Sequence, residues 1–386
     1  MQLIENGRIF TGEQHLEGYS LLLENGRIAA LLPRAQAQAI TASRYDLQGG
    51  TLLPGFIDLQ VNGGGGVLFN DSPDIGTLRI MGEAHRQFGT TGFLPTLISA
   101  DLDTMRRAIA AVDEAIAQEV PGVLGIHLEG PLLNPDRRGI HDARWFRQLD
   151  EELFSLLTRQ SPGCTLVTIA PECCRPEQIR RLAEHGVIVA AGHTGASYEQ
   201  VCDAMDAGLT GFTHLFNAMS PLQSRAPGAV GAALAADRGW FGIIADGYHV
   251  HPAALRVAVR AREAGAALLV TDAMPTVGSD LTQFELGSES ISLCDGRLLN
   301  PGGTLAGSHL DMLAAVNNAA AFAGIDWFEA ARMASLYPAR VLGLEDQLGR
   351  LAPGYRANLL ALDSQGSPRA SWVAGLQGDC VTEFAQ

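Results

Sequence analysis

Three side chains of metal-binding type stand at matching places in this sequence. His193 follows the apolar run from Val187 to Ala191, and His214 follows the run from Gly211 to Thr213, 21 residues further on. That interval suits one strand, one crossover helix and a return to the next parallel strand, which sets both imidazoles at the same end of neighbouring strands. Glu129 closes a third run, Val123 to Leu128. His127 lies two residues before Glu129, hence on the same strand face, and is a further ligand candidate. One carboxylate with two neutral imidazoles is a set that Zn²⁺ accepts in catalytic sites while a position stays open for water. We therefore expect one divalent ion per subunit, Zn²⁺ by choice, although each histidine taken alone reads more readily as a hydrogen-bonded structural residue than as a ligand. Asp272 ends the run Ala267 to Thr271. Alone it could be a helix cap; beside a metal it can take a proton from water and pass it to a leaving group. Asp246, after Trp240 to Ala245, has the same ambiguity.

Such residues need a scaffold that gathers strand ends. Eight strand-length apolar runs begin near Thr51, Thr91, Val123, Thr165, Val187, Gly211, Trp240 and Ala267, and helix-period segments such as Asp103–Ala117, Pro176–His185 and Tyr198–Ala207 separate them. Runs that are apolar throughout, without alternation, fit parallel strands covered on both faces. The pattern predicts a (β/α)8 TIM-like barrel over residues 48–345, with a doubly wound open sheet as its rival. A barrel gathers its chemistry at the C-terminal mouth, and the runs close on Asp58, Gln60, Thr96, Glu129, Glu172, His193, His214, Asp246 and Asp272. Residues 1–47 read as short strands, with Asn6-Gly7 and Asn25-Gly26 as hairpin turns, and residues 346–386 have the same style. Both termini together are expected to form a small β-sandwich domain whose halves cover each other's edges.

Composition narrows the function. The 386 residues carry 27 Lys and Arg against 42 Asp and Glu, a formal net charge of −15, which disfavours nucleic acid and anionic membranes as partners. No apolar run approaches the ~18 residues that span a bilayer. The six cysteines show no Cys-x-x-Cys spacing, and two are adjacent, as suits reduced thiols and a cytoplasmic protein. The segment Asn62 to Gly66 lacks the spacing of a phosphate-binding loop and reads as a flexible loop; the Gly-x-Ser-x-Gly elbow of serine hydrolases is absent. His141, Arg225 and His249 fall in loops after strands, the few cationic groups that could meet an anionic ligand near the mouth.

The segments PGFIDLQ (54–60), HLEGP (127–131), AGHT (191–194), THLFNAM (213–219), DGYH (246–249) and TDA (271–273) resemble the amidohydrolase superfamily and, within it, the N-acetylglucosamine-6-phosphate deacetylases. The resemblance spans nearly the whole chain, to LGRLAPGYRANL at 348–359. It implies a cytoplasmic, metal-dependent hydrolase that cleaves the acetamide of N-acetyl-D-glucosamine 6-phosphate, with the galactosamine epimer as the alternative substrate. It places the metal on Glu129, His193 and His214, makes Asp272 the proton shuttle and His141 the contact to the substrate carbonyl. Ile140, Asn217, Ala218, Arg225, Asp246, His249 and the Leu305-Ala306-Gly307 turn match sugar and phosphate contacts, with Arg225 able to come from the other subunit of a homodimer. Binuclear members of the superfamily carry a His-x-His pair where this chain has Gln60 and Asn62, and neutral amides are poor ligands for a second metal. A metal-free sugar-phosphate sensor is the remaining non-enzymatic reading.

Overall fold

The computed structural model describes residues 1–380, so the last six residues of the expected terminal domain lie outside the described region. Eight parallel strands form one sheet in sequence order: β1 (Phe56–Val61), β2 (Thr90–Ile98), β3 (Gly125–Glu129), β4 (Cys164–Ile169), β5 (Ile188–Ala191), β6 (Gly211–Phe212), β7 (Trp240–Ile243) and β8 (Ala267–Leu269). The ring closes just beyond β8, where Ala273 bridges to Val61 and the Asp272 N–H donates to the Gln60 carbonyl at 3.0 Å. All nine residues of β2 are buried, as expected of a strand with the barrel interior on one side and helices on the other. The outer layer follows the helical period. Helix Leu102–Ala117 buries Met105, Ala108, Ile109, Val112 and Ala115 along one stripe, and Asp101 caps its start by accepting the Thr104 N–H. Burying side chains such as Ile109 and Val112 contributes about 1.5–3 kcal/mol each. Helices Pro176–Glu184 and Tyr198–Asp206 lie where the sequence places them. Among the described residues no helix is long and apolar enough to cross a membrane, and all six cysteines are free.

The termini build two further sheets. Four strands, Gln2–Glu5, Tyr19–Glu24, Arg27–Pro33 and Ser43–Asp46, face a six-stranded sheet made from Arg8–Phe10, His15–Leu16, Thr51–Pro54, Leu359–Leu362, Pro368–Val373 and Leu376–Asp379. Ile4, Leu21, Ile28, Leu52, Leu359 and Trp372 fill the space between them. Two expectations need correction here. Asn25-Gly26 is a two-residue hairpin turn, with φ of 50° and 75°, but Asn6-Gly7 is not a hairpin: Gln2–Glu5 and Arg8–Phe10 belong to different sheets, and the turn carries the chain across the sandwich. There Gly7 is required by crowding, since a Cβ would stand 2.5 Å from the Gly50 carbonyl. The expected run from Thr51 to Leu59 is also divided. Thr51–Pro54 pairs with Leu359–Leu362 in the terminal sheet, and only after Gly55 does the chain enter the barrel.

Above the mouth lies an element that the apolar runs do not reveal. Strands Gln283–Leu286, Glu289–Cys294, Arg297–Leu299 and Leu305–Ser308 form an antiparallel sheet packed on Leu68, Ile98 and Met274 through Ile291, Leu298 and Ala306. Leu305-Ala306-Gly307 is therefore strand, not turn, tied to the barrel seam where Ser308 N–H donates to the Asp272 carbonyl at 2.9 Å. The segment Gly63–Gly66 likewise forms a tight hairpin with Val67–Leu68, and Gly63 is buried against Pro275 where no Cβ would fit.

Candidate active site

Glu129 ends β3, while His193 and His214 lie in the first turns beyond β5 and β6. The parallel register aims all three side chains into the mouth. Glu129 Oε1 lies 3.2 Å from His193 Nε2 and 2.9 Å from His214 Nε2, and the two Nε2 atoms are 3.1 Å apart. All three residues are buried. His193 and His214 hold left-handed backbone, φ 48° and 32°, as does Asp272 at 54°; for side chains with a Cβ such conformations cost about 1–3 kcal/mol each and persist where the surrounding structure enforces them.

The protons decide what this cluster can hold. The carbonyl of Arg137 lies 2.9 Å from His193 Nδ1, so that nitrogen carries the hydrogen and Nε2 presents a lone pair. That lone pair faces a carboxylate and a second imidazole in a buried space, a convergence of acceptors that a cation satisfies. Burial alone would raise the Glu129 carboxyl, but the two imidazoles beside it, His193 and His214, outweigh burial and hold it well below its ordinary value. Glu129, His193 and His214 thus fit a metal ion. His127 is not part of the set. Its Nδ1 pairs with Thr96 Oγ1 at 3.0 Å and its Nε2 with Thr168 Oγ1 at 2.8 Å, so both nitrogens are occupied inside the barrel, where burial lowers its pKa to about 4.

His141 faces the cluster from the loop after β3, its Nε2 3.9 Å from Glu129 Oε2. The Ser99 backbone N–H donates to its Nδ1 at 3.3 Å, which leaves the hydrogen on Nε2, pointing into the site. Burial, then the neighbouring His193, lowers its pKa to about 3, so it is a neutral donor. Across the mouth, Asp272 Oδ1 accepts from Gln60 Nε2 at 3.0 Å and Asn62 Nδ2 at 2.6 Å. Gln60 also reaches both Glu129 oxygens at 3.3 Å. Both amides donate to Asp272 and Gln60 alone links it to Glu129, and among the described residues no donor occupies Asp272 Oδ2. Burial and the charge of Glu129 push the Asp272 pKa up to about 6.

A cavity of about 420 Å³ opens over these groups, lined among others by Glu129, Ile140, His141, His193, His214, Asn217, Ala218, His249, Asp272, Leu305 and Gly307. Three expected contacts lie outside its lining. Ala306 points into the core of the inserted sheet, because neighbours along a strand alternate faces. Asp246 instead pairs with His249 Nδ1 at 2.6 Å and accepts the backbone N–H groups of Tyr248 and His249, so it orients His249. Arg225 is exposed, on the loop before helix Gly228–Ala235. Asn62, Ile98, Asp136, Arg137, Gly139, Met274 and Thr304 also line the cavity without being expected there from the sequence. Only Asn62 had a signal, two positions beyond Gln60 on the same face.

An amidohydrolase family model matches residues 51–383, and a NagA composite domain model matches residues 1–52. The chain is 43% identical over 376 residues to an N-acetylgalactosamine-6-phosphate deacetylase of Shewanella sp. (strain ANA-3), covering 97% of this chain and 95% of that protein. It is 35% identical to an N-acetylglucosamine-6-phosphate deacetylase of Haemophilus influenzae, covering 91% and 92%. The crystal structure of N-acetylglucosamine-6-phosphate deacetylase from Pasteurella multocida superposes with a TM-score of 0.93 at 34% identity, over 98% of this chain and 99% of that one. Sequence, domain pairing and barrel geometry agree that this chain belongs to the amidohydrolase family, in the branch that contains the amino-sugar 6-phosphate deacetylases.

Proposed function

We propose that this protein hydrolyses N-acetyl-D-glucosamine 6-phosphate to D-glucosamine 6-phosphate and acetate, using one divalent ion, Zn²⁺ by ligand chemistry. The observation that carries the reading is the convergence of Glu129, His193 and His214 within 4.8 Å of one another, opposite both the free oxygen of Asp272 and the N–H of His141. A divalent ion held by the three ligands supplies an acidified water, with a pKa near ~7, and Lewis-acid polarisation of the substrate carbonyl. The remaining chemistry belongs to side chains. Asp272 Oδ2 takes a proton from the attacking water as its oxygen bonds to the acetyl carbon, and His141 Nε2–H donates to the oxygen that gains charge. Asp272 then returns the proton to the sugar nitrogen, so the C–N bond breaks to a neutral amine. His249, oriented by Asp246, and Arg225 hold the phosphate and so fix the acetamide over Asp272. Because Arg225 lies off the cavity of its own chain, we assign it to the neighbouring site of a homodimer. Reduced cysteines suit a cytoplasmic setting.

The 43% identity to an N-acetylgalactosamine-6-phosphate deacetylase favours a second substrate, N-acetyl-D-galactosamine 6-phosphate, which differs at one hydroxyl. Acetate release measured on both epimers, with metal content determined by elemental analysis of the same dialysed sample, tests the proposal. The expected result is one equivalent of metal per chain and a higher kcat/KM for the gluco epimer. Preference for the galacto epimer would move the substrate, two retained equivalents would overturn the single-metal site, and no acetate from either would overturn the activity.

A further inference from the structure

Glu172 stands just beyond β4, between the two loops that surround His193, and touches neither the cavity nor the metal ligands. Its carboxylate gathers three donors. Oε1 accepts Asn134 Nδ2 at 2.7 Å and the Gly195 backbone N–H at 2.6 Å, and Oε2 accepts the Thr194 hydroxyl. Asn134 belongs to the loop after β3, and Thr194 and Gly195 directly follow His193. The contacts continue into a closed circuit. The Asn134 backbone N–H donates to the His193 carbonyl at 3.1 Å, and its side-chain oxygen accepts from Asp136 N–H at 2.8 Å, which caps the short helical turn Pro135–Arg137. Arg137 ends that turn, and its carbonyl is the acceptor for His193 Nδ1 at 2.9 Å.

We propose that Glu172 is the positioning residue for the His193 ligand. Through Thr194 and Gly195 it fixes the chain on the C-terminal side of His193, which holds the left-handed φ of 48°. Through Asn134 it fixes the turn whose carbonyl selects the tautomer and the plane of the ring. His193 is thus held at its backbone and at its imidazole by one carboxylate on the barrel rim. Packing at Gly195 agrees, since a Cβ there would come within 3.2 Å of Asn134 Nδ2, a tight approach to the side chain that Glu172 holds. Partners of this kind around a metal-binding histidine typically change metal affinity about 10- to 100-fold.

The inference rests on the metal reading of the site, and its test separates the two. Zn²⁺ affinity is measured by chelator competition, without substrate, on the wild-type chain, Glu172→Ala and Glu172→Gln, with the melting temperature of each metal-free protein. Tight binding by the wild type establishes the metal site; its absence there would overturn that reading before Glu172 is considered. Glu172→Ala should bind Zn²⁺ about 10- to 100-fold more weakly, with kcat recovering in excess Zn²⁺ and KM unchanged. Glu172→Gln keeps an acceptor for Asn134 and Gly195 and a donor for Thr194, so it should bind within about threefold of the wild type. Wild-type affinity in Glu172→Ala would overturn the proposal, even if its melting temperature fell. A Gln variant as weak as the Ala variant would overturn it too, because the negative charge and not the hydrogen-bond geometry would then be what matters.

Discussion

Replacing Asp272 by Asn tests the proton-transfer role with little collateral change. Both Gln60 and Asn62 donate to Oδ1, and an amide oxygen in its place can accept the same two bonds, so side-chain position and ligand contacts should persist. What changes is the other atom: Oδ2, the open acceptor facing the cavity, becomes an NH2 that cannot take a proton. Turnover should fall by the factor typical of general acid-base groups, about 10²–10⁴. At ~1.36 kcal/mol per decade this is about 2.7–5.4 kcal/mol of lost transition-state stabilisation. Metal content and substrate affinity should hold, and folding should not suffer, since an ionised carboxylate that burial and Glu129 push to about 6 is a cost to the native state. The assay is acetate release at saturating substrate, paired with elemental analysis of the same protein. Turnover within a few-fold of the wild type, with metal retained, would refute the argument; loss of the metal would make Asp272 a ligand and remove it from proton transfer.

Two further outcomes probe other parts of the molecule. Arg225→Ala should lower kcat/KM for the 6-phosphate by about 2 kcal/mol, in the range of hydrogen bonds to charged groups, and leave the slow hydrolysis of the unphosphorylated sugar unchanged. Mixing it with Asp272→Asn under subunit exchange should restore part of the activity, and no recovery in a proven mixed dimer would return Arg225 to its own subunit's site. Asp58 closes the barrel seam, accepting from Thr271 and Gln60, and burial pushes its pKa from 3.8 to about 7. The folded protein binds this proton more tightly than the unfolded chain, so the stabilisation is complete below about pH 4 and is lost as pH rises through about 7. Asp58→Asn, which does not titrate, should therefore gain stability relative to the wild type as pH rises from 4 to 8, by on the order of a few kcal/mol, read as a growing difference in melting temperature; a difference that does not vary with pH would refute the assignment.

Much of the site is legible along the chain because a parallel barrel converts linear order into spatial order. Each apolar run after the first is a barrel strand and its end lies at the mouth, so Glu129, His193, His214 and Asp272 are marked by position and residue type alone. Residues that act through contacts with distant segments are not marked in this way. His127 shares a strand face with Glu129, yet it is excluded as a ligand only by the hydroxyls of Thr96 and Thr168 from the two adjacent strands. Gln60 and Asn62 look like the absence of ligands, and only ring closure between β1 and β8 brings them to Asp272 as donors. Asn6-Gly7 and Asn25-Gly26 are the same local signal; which of them becomes a hairpin depends on whether the flanking strands find partners in one sheet or in two.

The sequence by itself determined the barrel, the pairing of the terminal segments and the identity of the four central side chains, because hydrophobic period and strand-end position are local properties. Only the tertiary structure decided which nitrogen of His193 and His141 bears the proton, which oxygen of Asp272 is open, and that Arg225 stands away from the cavity of its own chain. Those are properties of hydrogen-bond geometry between segments tens to hundreds of residues apart, and no local pattern encodes them.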